Sequence, residues 1–282
     1  MAAQSRALLL AAGVGSRLGP LSSVLPKCLV PVNGKPLLGH WLDLFERAGI
    51  ERVLINLHHL DHLVRDYVTD RSHTLDIEFA YEAQLLGTAG TIQANRGFLE
   101  SGSTLVAHAD NLSIFSVAEI LAAHRSRPTG VVMTMMTFYT DRPSQCGIVE
   151  VDERGVVVGF HEKRDDPPGN LANGAVYIME PEILDTIDAV GGQGRDLSID
   201  VVPRLLGRIA TFHNGRYHRD LGTMDELVRA QLDYPLHTAM FADIPGGDAH
   251  WSRMLRSEDG RLARDLIEQL RRDTTGADQV RE

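Results

Sequence analysis

Several features are scarce in this sequence, and each scarcity excludes a class of protein. Cysteine occurs twice, at Cys28 and Cys146, with no metal-type spacing. That argues against a disulfide framework and fits a reducing cytoplasm. No stretch approaches the ~20 apolar residues of a membrane span. The apolar run Ala7 to Ala12 is too short for a signal-peptide core, so a soluble chain with no membrane partner is expected. Cations are outnumbered, 28 Lys and Arg against 38 Asp and Glu, for a net charge of −10. This excludes broad contact with nucleic acid, which needs many cations on phosphates, but allows a local basic pocket for a small anion. There is no GK[ST] phosphate loop of the Walker type and no G-x-G-x-x-G loop. No Ser-His-Asp or Cys-His arrangement, internal repeat or low-complexity linker is visible.

The chain does have 282 residues, 43% of them hydrophobic, enough for a large core. Its first third alternates strand and helix patterns. Ala7 to Ala12, Val53 to Leu57, Leu75 to Tyr81 and Leu105 to Ala109 read as strands, with helices at Leu37 to Ala48 and Thr88 to Phe98. The middle is richer in strands. Val131 to Tyr139 is one; Gly147 to Val151 and Val156 to His161 flank a turn at Asp152 to Gly155; Asn173 to Met179 is another. A short helix opens at Pro181, a helical stretch covers Ile199 to Leu206, and a final strand pair lies around Thr211 and Tyr217. A helix from Met224 to Tyr234 closes this part. The rhythm predicts an α/β fold: a Rossmann-like, mostly parallel mixed sheet flanked by helices, with a small β-rich portion. Residues 1–234 form the expected main domain and 235–282 a C-terminal loop and helical appendage. In the appendage Phe241 to Asp248 reads as a loop. Trp251, Met254, Leu255, Leu262, Leu266, Ile267 and Leu270 share one helical stripe, with Gly260 a break.

The residues that point to chemistry concentrate at 8 to 36, LLLAAGVGSRLGPLSSVLPKCLVPVNGKP. Gly13 and Gly15 follow a buried strand, so a turn there can offer backbone N–H groups to phosphate oxygens. Arg17 adds a charged fork to the same anion, and Pro26, with its fixed φ, aims Lys27. Asp110 ends the strand Leu105 to Ala109, where ligands of open α/β sheets collect. The cluster His58, His59 and His62 lies in a polar turn and reads as an ordinary surface feature. Asp196 and Asp200 read as helix caps.

Taken together, Leu10-Ala11-Ala12-Gly13-Val14-Gly15-Ser16-Arg17-Leu18, Pro26-Lys27 and Val32-Asn33-Gly34-Lys35-Pro36-Leu37-Leu38 resemble the signature of the sugar-1-phosphate nucleotidyltransferases. The resemblance runs from about residue 6 to residue 232, and is nearest to heptose- and mannose-1-phosphate guanylyltransferases. It implies an enzyme joining a nucleoside triphosphate to a sugar 1-phosphate, with Mg²⁺ as cofactor and pyrophosphate as by-product. Catalytic roles pass to Arg17, Lys27 and Asp110. Nucleotide contacts pass to Leu10, Ala12, Gly13, Gly15, Ser16 and Arg17, and, in the segment EAQLLGTAG, to Gln84, Gly87 and Thr88. Lys27, Gly147, Glu162, Lys163 and Asn173 match residues of the sugar-phosphate site, and Asp110 with Asp220 the magnesium ligands. Two departures stand out: Ala109 where relatives have Gly, and Gly174-Ala175 where the commoner order is Ala-Gly. GTP and a manno-configured heptose, octose or hexose 1-phosphate are favoured. Thymidylyl, cytidylyl or uridylyl transfer and, more remotely, a non-catalytic nucleotide-sugar-binding regulator are the alternatives. A homo-oligomer is compatible with the sequence.

Overall fold

The computed structural model describes residues 5–191, 195–240, 247–256 and 261–278, with the backbone alone at 270, 271 and 273–278. Strand β1 (Arg6–Leu10) is buried along its whole length. Ala7 and Leu9 face one core while Leu8 and Leu10 face another, so the strand shows no polar alternation. A short hairpin, β2 (Pro31–Val32) and β3 (Lys35–Pro36), follows the signature loop. It leads into α1 (Leu37–Arg47), β4 (Arg52–Leu57), α2 (Asp61–Thr69) and β5 (Asp76–Tyr81). Next come α3 (Thr88–Ala94), α4 (Arg96–Leu99), β6 (Thr104–His108), β7 (Asn111–Ile114), α5 (Val117–Arg125) and β8 (Met133–Tyr139). The β-rich part contains β9 (Gly147–Val151), β10 (Val157–Glu162) and β11 (Leu171–Met179), then α6 (Ile183–Val190), β12 (Ile209–His213) and β13 (Tyr217–Asp220). Helices α7 (Met224–Met240), α8 (Ala249–Met254) and α9 (Arg261–Asp278) complete the chain.

The main sheet runs β10-β9-β11-β6-β1-β4-β5, with β8 beside β11 and β12 beside β8. Its β6-β1-β4-β5 half is parallel, and β11 joins β6 antiparallel. This is the expected mixed α/β sheet, covered on one face by α1 and α5 and on the other by α3 and α6. The Asp152 to Gly155 hairpin is present, with Asp152 N–H on the Val156 carbonyl at 2.9 Å. No helix of the described residues is long and apolar enough to cross a membrane.

Other details differ from the sequence reading. The helix expected over Thr88 to Phe98 breaks at Asn95, whose φ of −110° is non-helical. Helices α2 and α5 and strand β7 were not expected. β12 and β13 do not pair with each other: β12 joins β8 and β13 joins β7. Helix α7 continues through Pro235 to Met240, so the boundary expected at 234/235 falls inside it. The apolar stripe of the appendage is divided between α8 and α9; Trp251, Ala263 and Ile267 are buried, whereas Leu262 faces solvent. Of the expected loop Phe241 to Asp248, residues 241–246 lie outside the described residues, as do Gly260 and the side chain of Leu270.

Candidate active site

β1 lies between β4 and β6, and the chain reaches β6 only after building β4 and β5 on the other side. The sheet therefore has a switch point at the carboxyl ends of β1 and β6, where a crevice opens. The loop leaving β1 is fixed at once, because the Ala11 N–H donates to Asn56 Oδ1 at 2.6 Å. The two glycines do different work. Gly13 is exposed with open space around it, leaving its backbone approachable. Gly15 has φ +68°, and a Cβ there would come within 3.1 Å of Lys27 Cβ. Ser16 then opens a 3₁₀ segment over Ser16–Ser23, and Pro26 leads into a tight turn at Lys27–Leu29.

Three charges meet at this switch point. The buried Lys27 ammonium bonds Asp110 Oδ2 and lies 3.6 Å from Asp220 Oδ1. Burial works against the Lys27 charge, but the two carboxylates outweigh it and hold its pKa above the usual value. Burial likewise opposes charge on Asp110, yet Lys27 and then His108 hold its carboxyl below the ordinary range. Asp220 moves the other way, pushed up by desolvation and by the charge of Asp110. Arg17 arrives from the loop. Gly222 makes room for it, since a Cβ there would sit 3.1 Å from Arg17 Nη2 and 3.4 Å from Asp220 Oδ1.

On one side of these charges lies a cavity of about 230 Å³ whose wall includes Leu10, Ala12, Gly13, Lys27, Gly87, Thr88 and Asp110. The wall also includes Asn56, Glu82, Leu85, Thr91, His108 and Asp196, which the sequence reading did not assign to the site. Asn56 had a legible signal, a polar residue inside an apolar strand. Cys28 lines the cavity too, but burial pushes its thiol up to about 12, which removes it as a nucleophile. Thr88 is not the N-cap of α3. Gly87, at φ 74°, takes that position, and the Thr88 hydroxyl donates to Asp196 at 3.3 Å and accepts from Leu197 N–H at 2.6 Å. Asp196 caps its own short helix through Ser198 and Ile199 N–H. Gln84 is exposed and, like Gly15 and Ser16, is not part of this wall. The histidines are tied to backbone: His58 Nδ1 donates to the Glu82 carbonyl and His59 Nε2 to the Ser22 carbonyl, both at 2.8 Å.

On the other side lies a cavity of about 610 Å³, with Arg17, Lys163, Asp220, Tyr139, His218 and Cys146 among its lining residues. The His218 ring packs against Phe138, tilted at 49° with centroids 4.3 Å apart, and burial pushes its pKa down to about 3. Gly147 and Glu162 face each other across β9 and β10. A Cβ on Gly147 would come within 2.7 Å of Glu162 Oε2 and 2.6 Å of Phe160, so glycine there lets both side chains cross the strand. Glu162 in turn lies 3.3 Å from Lys163 Nζ. Asn173 turns inward: its Nδ2 donates to Tyr177 Oη at 2.8 Å and its Oδ1 accepts from Ala175 N–H at 2.9 Å. It thereby holds an irregular stretch of β11, tied to the start of β7 by Asn111 Nδ2, which donates to the Gly174 carbonyl at 3.2 Å. In that stretch Ala175, not Gly174, has the left-handed φ, at +49°.

Known proteins share this chain's sequence pattern and fold. The family model described as nucleotidyl transferase matches residues 6–236. A mannose-1-phosphate guanylyltransferase of Mycobacterium tuberculosis is 34% identical over 237 residues, covering 82% of this chain and 64% of that protein. A UTP–glucose-1-phosphate uridylyltransferase of Synechocystis is 26% identical over 215 residues, covering 71% of this chain and 55% of that protein. The chain thus spans less than two thirds of the length of either relative. Among solved structures, HddC from Yersinia pseudotuberculosis complexed with GMP-PN has a TM-score of 0.69 at 21% identity, covering 82% of this chain and 100% of that one, which is a likeness of fold. By the match of its family model over most of its length, this chain belongs to the nucleotidyl transferase family.

Proposed function

We propose that the chain transfers a nucleoside monophosphate from a nucleoside triphosphate, GTP by preference, to a manno-configured sugar 1-phosphate, releasing pyrophosphate. The observation that carries this is the placement of Lys27, Asp110 and Asp220 between two cavities. One cavity suits a nucleotide; the other, roomier one suits a sugar phosphate, heptose or octose as well as hexose. The guanylyltransferase relative supports the choice of base.

The sugar phosphate needs no general base. A phosphate monoester has its second pKa near ~6 and is already ionised at neutral pH. The obstacle is repulsion between two anions approaching each other. Lys163 in the larger cavity holds the acceptor phosphate, while Lys27 and the backbone of the Gly13 loop steady the triphosphate. Arg17, beside Asp220, meets the charge that builds on the leaving pyrophosphate. Asp110 and Asp220 fit Mg²⁺: both are hard oxygen donors, and both lie against the same Lys27 ammonium, within reach of one ion. Two carboxylates suffice for an ion that takes its other ligands from phosphates and water. When bound there, Mg²⁺ supplies charge neutralisation at the triphosphate.

The test is pyrophosphate release, crossing GTP, UTP, CTP and dTTP with mannose 1-phosphate, glucose 1-phosphate and a manno-heptose 1-phosphate. GTP with a manno-configured acceptor should be best, and EDTA should abolish turnover. Release in no combination, or full activity in metal-free buffer, would overturn the assignment or its metal dependence respectively.

A further inference from the structure

We propose that His108 is a further catalytic residue, its Nε2–H donating to a non-bridging oxygen of the phosphoryl group that is transferred; this rests on the reading of the site as one for nucleotidyl transfer. The ring lines the smaller cavity, and its Nε2 is buried with no hydrogen-bond partner among the described residues. Its neighbours differ in this respect. His58 and His59 are bound to backbone carbonyls, and His218 Nδ1 lies 2.7 Å from Ser113 Oγ. A buried nitrogen without a partner has lost its water and gained nothing in exchange. It becomes useful where a ligand brings an acceptor.

Strand pairing aims the ring. β6 runs parallel to β1 with His108 beside Leu10, the last residue of β1. Successive side chains of a strand point to opposite faces. Ala107 and Ala109 belong to the core that α1 covers, and the Ala109 N–H is tied to the Leu10 carbonyl at 3.0 Å. His108 is therefore turned the other way, into the cavity that Asp110 also lines.

The ring also stands at the border of the two cavities. It is close enough to act electrostatically on Asp110, on Asp220 and on His218, and the last two line the larger cavity. With the nucleotide on one side and the acceptor on the other, the atom at that border is the α-phosphorus. Lys27 is already engaged there by two carboxylates, and those carboxylates cannot meet a phosphate oxygen themselves. An N–H on His108 is a donor that the protein leaves unused. In the reaction an acceptor phosphate oxygen bonds to the α-phosphorus as the bond to pyrophosphate breaks, and charge spreads over the equatorial oxygens. A donor placed on one of them stabilises that charge. The histidine keeps its proton throughout, so the step needs no change in its ionisation.

Three variants of the full chain separate a donor from mere bulk. His108→Leu fills the space without any N–H, His108→Gln carries an amide N–H₂ near the position of Nε2, and His108→Asn carries one near Nδ1. In pyrophosphate release with Mg²⁺, the Leu and Asn variants should lose about 100-fold in kcat, the scale of one lost oxyanion donor. Their KM for GTP should rise by no more than about fivefold, and His108→Gln should stay within about fivefold of wild-type kcat. By calorimetry, His108→Leu should bind GDP about fivefold more weakly than wild type and guanosine equally well. Wild-type kcat in a folded His108→Leu variant, a Gln variant as slow as Leu, or equal losses for guanosine and GDP would each overturn the proposal. A wild type that turns over no acceptor would break the transferase reading instead, and the comparison of GDP with guanosine would still decide whether His108 meets the phosphate.

Discussion

At the scale of single residues, the site relies on absent side chains as much as on present ones. Gly222 and Gly147 are glycine because Arg17 and Glu162 occupy the space a methyl would take. Arg17→Ala should lower turnover by about two orders of magnitude, as expected when one transition-state contact is lost, with little change in melting temperature. Wild-type turnover in a folded Arg17→Ala variant would remove its role. The reversed order Gly174-Ala175 has its own consequence. Ala175 sits at φ +49°, a conformation that costs a non-glycine residue about 1–2 kcal/mol. Ala175→Gly should therefore stabilise the fold by up to about 1 kcal/mol, after the entropy that glycine adds to the unfolded chain. Gly174→Ala should destabilise by about 1–3 kcal/mol, because its Cβ would meet Met136 Cε at 2.8 Å and the Met136 carbonyl at 3.2 Å. Restoring the commoner Ala-Gly order should give no net gain, which thermal melts of the two singles and the double can check.

At the scale of elements, α1 shows how local bonding sets a pH dependence. His40 Nε2 lies 3.1 Å from the Val32 carbonyl and must donate to it; Nδ1 is then free to accept from the Tyr234 hydroxyl at 3.2 Å. Both nitrogens are used only in the neutral ring, and burial lowers the pKa to about 4 from about 6.5. Below pH 6.5 the unfolded chain binds a proton that the native chain refuses until about pH 4. Stability should thus fall as pH drops through that window, by about 3 kcal/mol. His40→Gln should flatten this part of the curve of melting temperature against pH; an unchanged slope would exclude His40 as its source.

The same scale shows what the sequence could and could not disclose. Strands such as Arg6–Leu10 and Arg52–Leu57 were legible because a strand buried on both faces is mostly apolar, and the meeting of Lys27 with Asp110 was suggested by the density of motifs around each. Helices α2 and α5 were obscured by charged or short-period stretches that only tertiary packing turns into helix. The pairing of β13 with β7 joins residues over a hundred positions apart, beyond any local signal. It is also what brings Asp220 to Asp110. Burial at Glu82 and exposure at Gln84 were not legible, because they are set by where Asn56 and Thr91, brought in from β4 and α3, meet the Glu82 carboxylate.

At the scale of the whole molecule, the C-terminal segment is joined to the domain by charge rather than by packing alone. Asp248 caps α8 through Trp251 N–H at 2.9 Å and accepts from the buried Tyr67 hydroxyl at 2.6 Å. Arg71, 3.5 Å away, links it to Asp43 and so to Lys35 of the signature hairpin. Asp248→Ala should cost about 2–4 kcal/mol, since it removes a cap and leaves a half-buried cation short of a partner. A loss under about 0.5 kcal/mol in denaturant melts would show that the appendage is held by its apolar face instead.

Helix α7 begins four residues after Asp220, and its Gln231 clamps the signature hairpin from both sides, donating to the Pro31 carbonyl at 2.7 Å and accepting from Asn33 N–H at 3.2 Å. During synthesis the Lys27 loop therefore leaves the ribosome about two hundred residues before the partner carboxylate and the glutamine that braces it. At ~5–20 residues per second, the nascent chain spends on the order of ten seconds or more with the Lys27 loop but without Asp220. The cluster of Lys27, Asp110 and Asp220 is then completed late in the synthesis of each molecule, and the brace from Gln231 later still.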